Sequence, residues 1–215
     1  MKKFLIGLVV VICILFLAIF GVYKFSFKPS VPVTPLDSPS TMTQLDLAKK
    51  FIPNNISLSL TGITATSNTN FSNDELTDLF ISAFKDNPKI SEYVKGLSVQ
   101  AANNNTIYIY ADINYKDIPV QAKLTFKCSA EDGKGIFHYE SGKVGFISIP
   151  KEMLFDHLHD NSIIAVNKAN SDIILRFSVL KNINIQSLST TNGNLNIEFK
   201  GTLNFLQWLE NNGYN

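Results

Sequence analysis

The chain begins with a long apolar run. Residues 4–23, from Phe4 to Tyr23, are twenty consecutive positions without a charged side chain. At a rise of about 1.5 Å per residue, a helix of this length spans about 30 Å, which is the thickness of a bilayer's hydrocarbon core. The run therefore predicts an N-terminal transmembrane helix that contacts the membrane directly.

Charges on either side of this run predict its orientation. Lys2 and Lys3 precede it together with the α-amino group, whereas Lys24 and Lys28 follow it. This slight positive excess favours a cytoplasmic N-terminus. A cleaved signal peptide is the alternative, but its apolar region is usually about 7–15 residues long and ends in a small-x-small site. Residues 18–20 (AIF) lack the second small residue. We therefore predict an uncleaved, single-pass signal-anchor in the cell membrane, with an extracytoplasmic C-terminal domain.

Apolar and polar residues alternate strictly in segments 106–115 and 118–128. In the second segment, Ala122, Leu124, Phe126 and Cys128 share one face, and polar side chains occupy the other. A period of two predicts strands of a sheet with one apolar and one solvated face. Further strands are predicted at 57–66, 97–102, 135–149, 172–178, 182–188 and 195–200. Turn residues at 131–133 and 192–193 predict hairpins.

Helical signals are fewer. Ser72 and Glu75 have the spacing of a capping box, and apolar residues recur at helical spacing from Leu76 to Phe84. These features predict a helix over 72–84. Shorter helices are predicted at 43–51, 151–159 and 202–211.

Prolines at positions 29, 32, 35 and 39 separate the apolar run from the rest of the chain. Such a segment cannot form a helix or a central strand, and it is typical of an extended, semi-rigid spacer. We therefore divide the chain into a membrane anchor (1–28), a Pro/Ser/Thr-rich spacer (29–42) and an extracytoplasmic domain (43–215). The predicted fold class is α+β, in which a mainly antiparallel, curved sheet carries a few short helices.

Composition excludes several classes of function. The net charge is only +1, which argues against a nucleic-acid-binding surface. Two cysteines, Cys13 and Cys128, are too few for a disulfide scaffold or a multi-cysteine zinc site. Cys128 lies on the apolar face of its predicted strand, so we interpret it as a core residue.

The middle of the chain resembles a known family. The predicted helix 72–84 precedes residues 118–126 (IPVQAKLTF), the Asp132–Gly133 turn and residues 143–150 (KVGFISIP). This arrangement resembles the YpmS family of single-pass membrane proteins of low-GC Gram-positive bacteria, over about residues 70–199. Cys128 departs from the family, which often has proline near this place, and the stretch after Phe199 looks like an extension. The resemblance implies an anchor, an extracytoplasmic topology and one folded domain, and it supplies no functional residue.

Acidic and histidine side chains concentrate in one short segment. If residues 151–159 are helical, Glu152, Asp156 and His159 share a face, where three metal ligands are conceivable. His157 and His159 cannot both join that face, because residues two apart point about 200° apart. Asp160 completes the cluster. We interpret it as a solvated helix face and predict no metal, no cofactor and no catalytic residue.

Three functions are compatible with these patterns. The first is a non-enzymatic module that binds lipid or another amphiphile in an apolar groove, because little helix is available to cover a long one-sided sheet. Candidate groove residues are Leu124, Phe126, Phe137, Val144 and Phe146. The second is a scaffold or interaction protein of cell-envelope assembly with a closed core, whose candidate contacts are Tyr108, Tyr110, Tyr115 and Arg176. The third is a cell-envelope hydrolase, for which no pair of acidic residues is selected by spacing.

Overall fold

The computed structural model describes residues 2–39, 42–85, 88–156, 158–160, 164–175 and 183–204. Its helices are α1 (Lys2–Val22), α2 (Gln44–Lys50), α3 (Asn73–Phe84), α4 (Pro88–Ser91) and α5 (Lys151–Phe155). Its strands are β1 (Thr34–Pro35), β2 (Asn55–Ser59), β3 (Gly62–Ser72), β4 (Val94–Ala102), β5 (Thr106–Tyr115), β6 (Ile118–Glu131), β7 (Lys134–Val144), β8 (Ile147–Ser148), β9 (Ile164–Asn167), β10 (Asp172–Leu175), β11 (Ile183–Thr191) and β12 (Asn194–Asn204). This is a mainly antiparallel β-structure with a few short helices, as predicted.

The described strands form two sheets rather than one curved sheet. In the first, which we call sheet A, the order is β1-β4-β5-β6-β7-β10-β9, and β8 also pairs with β7. In the second, sheet B, the order is β11-β12-β3-β2. Sheet B forms because β12 returns to pair along the whole of β3, from Asn194 opposite Ser72 to Asn204 opposite Gly62. No local pattern in either strand specifies that long-range pairing.

The core lies between the two sheets. Sheet A contributes buried residues such as Val99, Ile107 and Phe126, and sheet B contributes residues such as Ile197 and Phe199. Strand β11 packs against β6 and β7. Its Ile185 amide also donates to the Gly133 carbonyl oxygen at 2.8 Å. The apolar faces predicted from alternation therefore meet each other.

Helix α3 covers part of the edge of sheet A. Its capping box is present as predicted, with Ser72 Oγ accepting from the Glu75 amide and the Glu75 carboxylate accepting from the Ser72 amide. Two of its side chains accept hydrogen bonds from backbone amides of β4, as a neighbouring strand would. The Val99 amide donates to Thr77 Oγ1 at 2.9 Å, and the Ala101 amide donates to Asn73 Oδ1 at 2.8 Å. Amides of β4 beyond the two residues that pair with β1 are thereby satisfied.

Several predicted elements have different bounds. The segment predicted as one strand over 57–66 turns back after Ser59, whose Oγ hydrogen-bonds around the turn with Gly62, and so contributes to both β2 and β3. The segment 135–149 is interrupted at Gly145, which has a φ of +61°. Helix α5 ends at Phe155 instead of 159. Residues 202–204 continue β12, while 205–211 lie outside the described residues.

Helix α1 covers most of the predicted anchor, and a π-helical turn, Tyr23–Phe27, follows it. Among the residues whose side chains the structure describes, no helix is long and apolar enough to cross a membrane. The side chains of residues 1–10 lie outside that set. The transmembrane helix therefore remains a prediction from the sequence.

Residues 28–36 lie against sheet A. The Gln121 side chain on β6 hydrogen-bonds to the backbone of this segment. Its Oε1 accepts from the Ser30 and Val31 amides, and its Nε2 donates to the Val31 carbonyl at 2.8 Å. β1 then pairs antiparallel with β4. Most of the first half of the predicted spacer is thus part of the folded domain.

Candidate functional site

The predicted groove residues do not line one groove. Phe126 and Phe137 are buried in the core, on the face that β11 covers. Leu124 and Val144 are half-buried against the same core. Phe146 lies in the turn between β7 and β8, and 70% of its surface is exposed. These positions favour a closed core over an amphiphile-binding groove.

An open concavity of about 560 Å³ lies elsewhere, beside β4. None of the five groove candidates lines it. Its walls mix charged, polar and apolar side chains, namely Leu36, Asp37, Ser38, Pro39, Lys85, Ser91, Val94 and Lys95. Such a lining does not provide the apolar enclosure that a fatty chain needs.

The acidic and histidine cluster does not converge. Because α5 ends at Phe155, His159 lies beyond the helix and does not share a face with Glu152. Asp156 pairs with Lys168, and the Asp160 carboxylate accepts from the Val166 amide. Among the described residues, which exclude His157, no group of three or more His, Cys, Asp or Glu side chains could hold a metal ion.

The outward face of sheet A carries a patch of tyrosine and lysine side chains. We call Tyr108 and Tyr110 on β5, Lys123 on β6 and Lys143 on β7 the tyrosine–lysine patch. Tyr110 lies directly opposite Lys123, and Lys123 lies directly opposite Lys143 in the next strand. Residues directly opposite in an antiparallel pair project from the same face. Alternation within the strands, together with the cross-strand register, therefore sets these four side chains on one face.

Aromatic contacts order one half of this patch. Lys123 Nζ lies 3.8 Å from the centroid of the Tyr108 ring and 5.5 Å from that of Tyr110. The two rings meet edge to face, with their centroids 6.4 Å apart. Cation–π contacts of this kind contribute about 0.5–1 kcal/mol at exposed sites. Tyr108, Tyr110 and Lys123 are consequently held in place before any partner arrives.

The patch also contains an unfavourable charge arrangement. Lys123 and Lys143 are like charges in directly opposite cross-strand positions, an arrangement that destabilises a sheet. Lys143 is exposed. A negatively charged group placed over the pair would relieve the repulsion. The patch is therefore suited chemically to an acidic surface.

Sequence reasoning identified part of this patch and missed the rest. Tyr108 and Tyr110 were predicted as contacts, and the structure brings them together. Tyr115 lies at the far end of β5, away from them. Arg176 lies outside the described residues. Lys123 and Lys143 were missed, although the polar face predicted for segment 118–128 already carried Lys123. Cross-strand register, which the sequence does not give, was needed to pair it with Lys143.

Among the described residues, the titratable groups Cys128 and Tyr139 belong to the core. Burial raises the pKa of the Cys128 thiol to about 11, so this group is no nucleophile at neutral pH. Tyr139 donates from its hydroxyl to the Ile149 carbonyl at 2.8 Å. Burial, and then the nearby Glu152 carboxylate, raise its pKa. Both residues serve the core, which agrees with the interpretation of Cys128 as structural.

Comparisons with known proteins add no relative. No family model, no curated protein and no solved structure matches this chain. The resemblance to the YpmS family therefore remains a prediction that rests on the motifs quoted above.

Proposed function

We propose that this protein is a membrane-anchored, non-enzymatic interaction module of the cell envelope, and that the tyrosine–lysine patch binds an acidic surface of a protein partner. The anchor is the apolar segment 4–23, with the N-terminus in the cytoplasm and the β-domain outside. This proposal retains the closed-core alternative from the sequence and a topology like that of the YpmS family. Its main support is the outward-facing Lys123–Lys143 pair flanked by two ordered tyrosines.

Tyrosine side chains beside lysines suit a protein interface. Tyrosine provides a large, rigid contact area with few rotatable bonds, and it is enriched among the residues that carry binding energy. Complementary charge speeds association and excludes partners of the wrong sign. The patch offers both features on a rigid sheet rather than on a loop, so little ordering entropy would be lost on binding.

Site-specific photo-crosslinking in cells tests this proposal. A photoreactive amino acid replaces Tyr110 in one full-length chain and Gln186, an exposed residue on β11 of sheet B, in another. We expect a discrete crosslinked protein from position 110 and none from position 186. Lys143→Glu should abolish that crosslink, because it turns the attraction to an acidic partner into repulsion. Lys200→Glu, at an exposed position on β12, is the matched control and should leave the crosslink intact. Crosslinking that survives Lys143→Glu, or that occurs equally at position 186, contradicts the proposal.

The amphiphile-carrier hypothesis predicts a different result. A fragment of residues 24–215, which retains β1, would then co-purify with a bound lipid that mass spectrometry detects in its organic extract. We expect no such lipid, because β11 covers the face that carries Phe126 and Phe137. A stoichiometric amphiphile in the extract would favour the carrier over the interaction module.

A further inference from the structure

Exposed apolar side chains gather at one end of the domain. This end, which we call the juxtamembrane end, comprises the π-helical turn Tyr23–Phe27 with Lys28, the β5–β6 hairpin turn at residues 115–118 and the β7–β8 turn at residues 145–147. Its large exposed apolar residues are Phe25, Tyr115, Ile118, Phe146 and Ile147. Phe25 is the most exposed of them, with 88% of its surface accessible.

Specific contacts fasten these three segments together. The Tyr23 hydroxyl donates to the Pro119 carbonyl at 2.9 Å, which ties the π-helical turn to the start of β6. The Phe27 and Phe146 rings meet edge to face, with their centroids 5.0 Å apart. A Cβ atom at Gly145 would lie 2.7 Å from the Ser26 carbonyl oxygen, so this turn approaches too closely for any residue but glycine. The turn that follows α1 is therefore packed onto the domain.

The charge of the juxtamembrane end is positive. Lys24, Lys28 and Lys116 are exposed there, and Asp117 is the acidic residue in the same three segments. Aromatic side chains with flanking lysines are typical of the boundary between lipid headgroups and hydrocarbon. Each lysine near an anionic leaflet contributes about 1 kcal/mol of attraction.

The position of α1 indicates that a lipid bilayer contacts the juxtamembrane end. Helix α1 ends at Val22, and Tyr23 is already bonded to the domain, so no free linker separates the two. The first contacts of the domain are thus made within one turn of the predicted membrane span. A spacer that held the domain away from the surface would have to begin later in the chain, where residues 30–35 instead lie on sheet A.

We propose that the juxtamembrane end lies in the headgroup layer of the bilayer that α1 spans, with Phe25, Phe146 and Ile147 in contact with lipid and the three lysines facing anionic headgroups. This inference rests on the membrane anchor of the proposed function. It fixes the orientation of the β-domain: the β5–β6 hairpin turn faces the membrane, and the β4–β5 turn at residues 103–105 faces away.

Quenching of tryptophan fluorescence by brominated lipid tests this orientation. The full chain, with Trp208→Phe as background, carries either Phe146→Trp or the matched control Asn103→Trp at the exposed β4–β5 turn. Asn103 precedes the start of β5, whereas Phe146 belongs to the juxtamembrane end, where β5 finishes; a ten-residue strand separates these two ends by roughly 30 Å. Both chains are reconstituted in vesicles of phosphatidylcholine and phosphatidylglycerol, with bromine on the acyl chains. We expect the Phe146→Trp chain to lose most of its fluorescence and the Asn103→Trp chain to keep it.

Failure of the orientation can be separated from failure of the anchor. Extraction of the same vesicles with alkaline carbonate reports whether the chain is integral to the membrane. A chain that stays in the vesicles while its Phe146→Trp fluorescence is unquenched overturns the orientation and leaves the anchor standing. A chain that carbonate removes overturns the anchor, and the orientation falls with it.

Charge substitutions test the lysines separately. In the Phe146→Trp chain, Lys24→Gln, Lys28→Gln and Lys116→Gln together should reduce quenching in the anionic vesicles. They should change little in vesicles of phosphatidylcholine alone. The matched control replaces Lys134, Lys168 and Lys200, which are exposed outside the juxtamembrane end, with Gln and should have no effect in either lipid. Equal quenching with and without the three juxtamembrane lysines would overturn their assignment to anionic headgroups.

Discussion

Individual side chains in this domain are set by which face of a strand they occupy. Cys128 is predicted on the apolar face of its strand, and it is indeed buried in the structure. Its thiol is therefore surrounded by core atoms, and desolvation raises its pKa from an ordinary value of 9.0 to about 11. The consequence is a measurable dependence of stability on pH.

Stability should fall at alkaline pH because of Cys128. Between about pH 9 and about pH 11 the unfolded chain loses the thiol proton while the folded chain keeps it, so unfolding becomes favoured by about 2–3 kcal/mol in all. Urea unfolding near pH 8 and near pH 10 measures this loss of stability. It is carried out on the 24–215 fragment and on its Cys128→Ala variant. The parent should lose more stability than the variant. Equal losses would mean that the thiol ionises alike in both states.

Gly142 is required by the side chains around it. A Cβ atom there would lie 2.5 Å from Tyr139 Oη and 2.8 Å from Leu124 Cδ2. We expect Gly142→Ala to destabilise the fragment by about 1–3 kcal/mol, as overpacking does. Ser141→Ala, at the exposed neighbouring position, should change stability by less than about 0.5 kcal/mol. Urea midpoints measure both, and a neutral Gly142→Ala would show that the Tyr139 ring can move aside.

At the scale of elements, α3 begins where its sequence predicts. The capping box that starts it also carries an ion pair, in which Lys50 Nζ lies 2.8 Å from Glu75 Oε1. Desolvation pushes the pKa of Glu75 upward, but hydrogen bonds from Lys50 and the Ser72 amide, with the charge of Lys50, outweigh it and leave the pKa lowered. The Glu75 carboxylate thereby links the start of α3 to Lys50 at the end of α2.

This carboxylate should contribute stability that acid removes. Because the folded pKa of Glu75 is lowered, its contribution is present above the ordinary value of 4.5 and is lost as pH falls below it. We expect Glu75→Gln to cost up to about 1 kcal/mol at neutral pH, because glutamine keeps the capping-box acceptor but loses the ion pair with Lys50. The variant should also lose less stability on acidification than the parent does. Urea unfolding at the two pH values checks this, and identical acid sensitivity would contradict it.

Strand β1 is one of the elements that sequence patterns did not indicate, as are β9 and α4. It is two residues long and contains Pro35, yet it directs Leu36 into the core, where only 8% of its surface is exposed. The Leu36 amide donates to the Lys95 carbonyl at 3.1 Å. The prolines correctly predict that this segment is extended. They do not predict which part of the domain the segment packs against.

Loss of β1 should therefore weaken the domain. We expect Leu36→Ala to cost about 2–5 kcal/mol in the 24–215 fragment, because it leaves a cavity. Leu45→Ala removes the same atoms from an exposed side chain and should cost far less. A fragment that begins at residue 43 should melt at a lower temperature than one that begins at residue 24. Equal melting temperatures would show that residues 24–42 rest on the domain without stabilising it.

At the scale of the whole molecule, the flanking charges predict the orientation of the chain across the membrane. Lys2, Lys3 and the α-amino group favour a cytoplasmic N-terminus for α1. An alkaline phosphatase fused after Asn215 should therefore be active, and a fluorescent protein that folds only in the cytoplasm should be dark at the same position. The reverse pattern would invert the proposed topology and place the tyrosine–lysine patch inside the cell.

Local patterns predicted most of the strands and one helix start. Alternation in 106–115 and 118–128 placed Ile107 and Phe126 on the buried face, because a one-residue slip would turn every side chain over. Tyr108 and Tyr110 were placed on the opposite face for the same reason. The closed core was not predictable, since β11, which packs against β6, lies more than fifty residues later in the chain.

The sequence by itself determined the apolar first segment, the two-faced strands, the capped helix and the burial of Cys128, because each depends on residues close together in the chain. Only the tertiary structure decided that the strands form two sheets, that Lys123 faces Lys143, and that the proline-rich segment packs onto the domain. Those outcomes depend on pairings between distant residues. Many registers are compatible with one alternating pattern, and the packing of the whole chain selects among them.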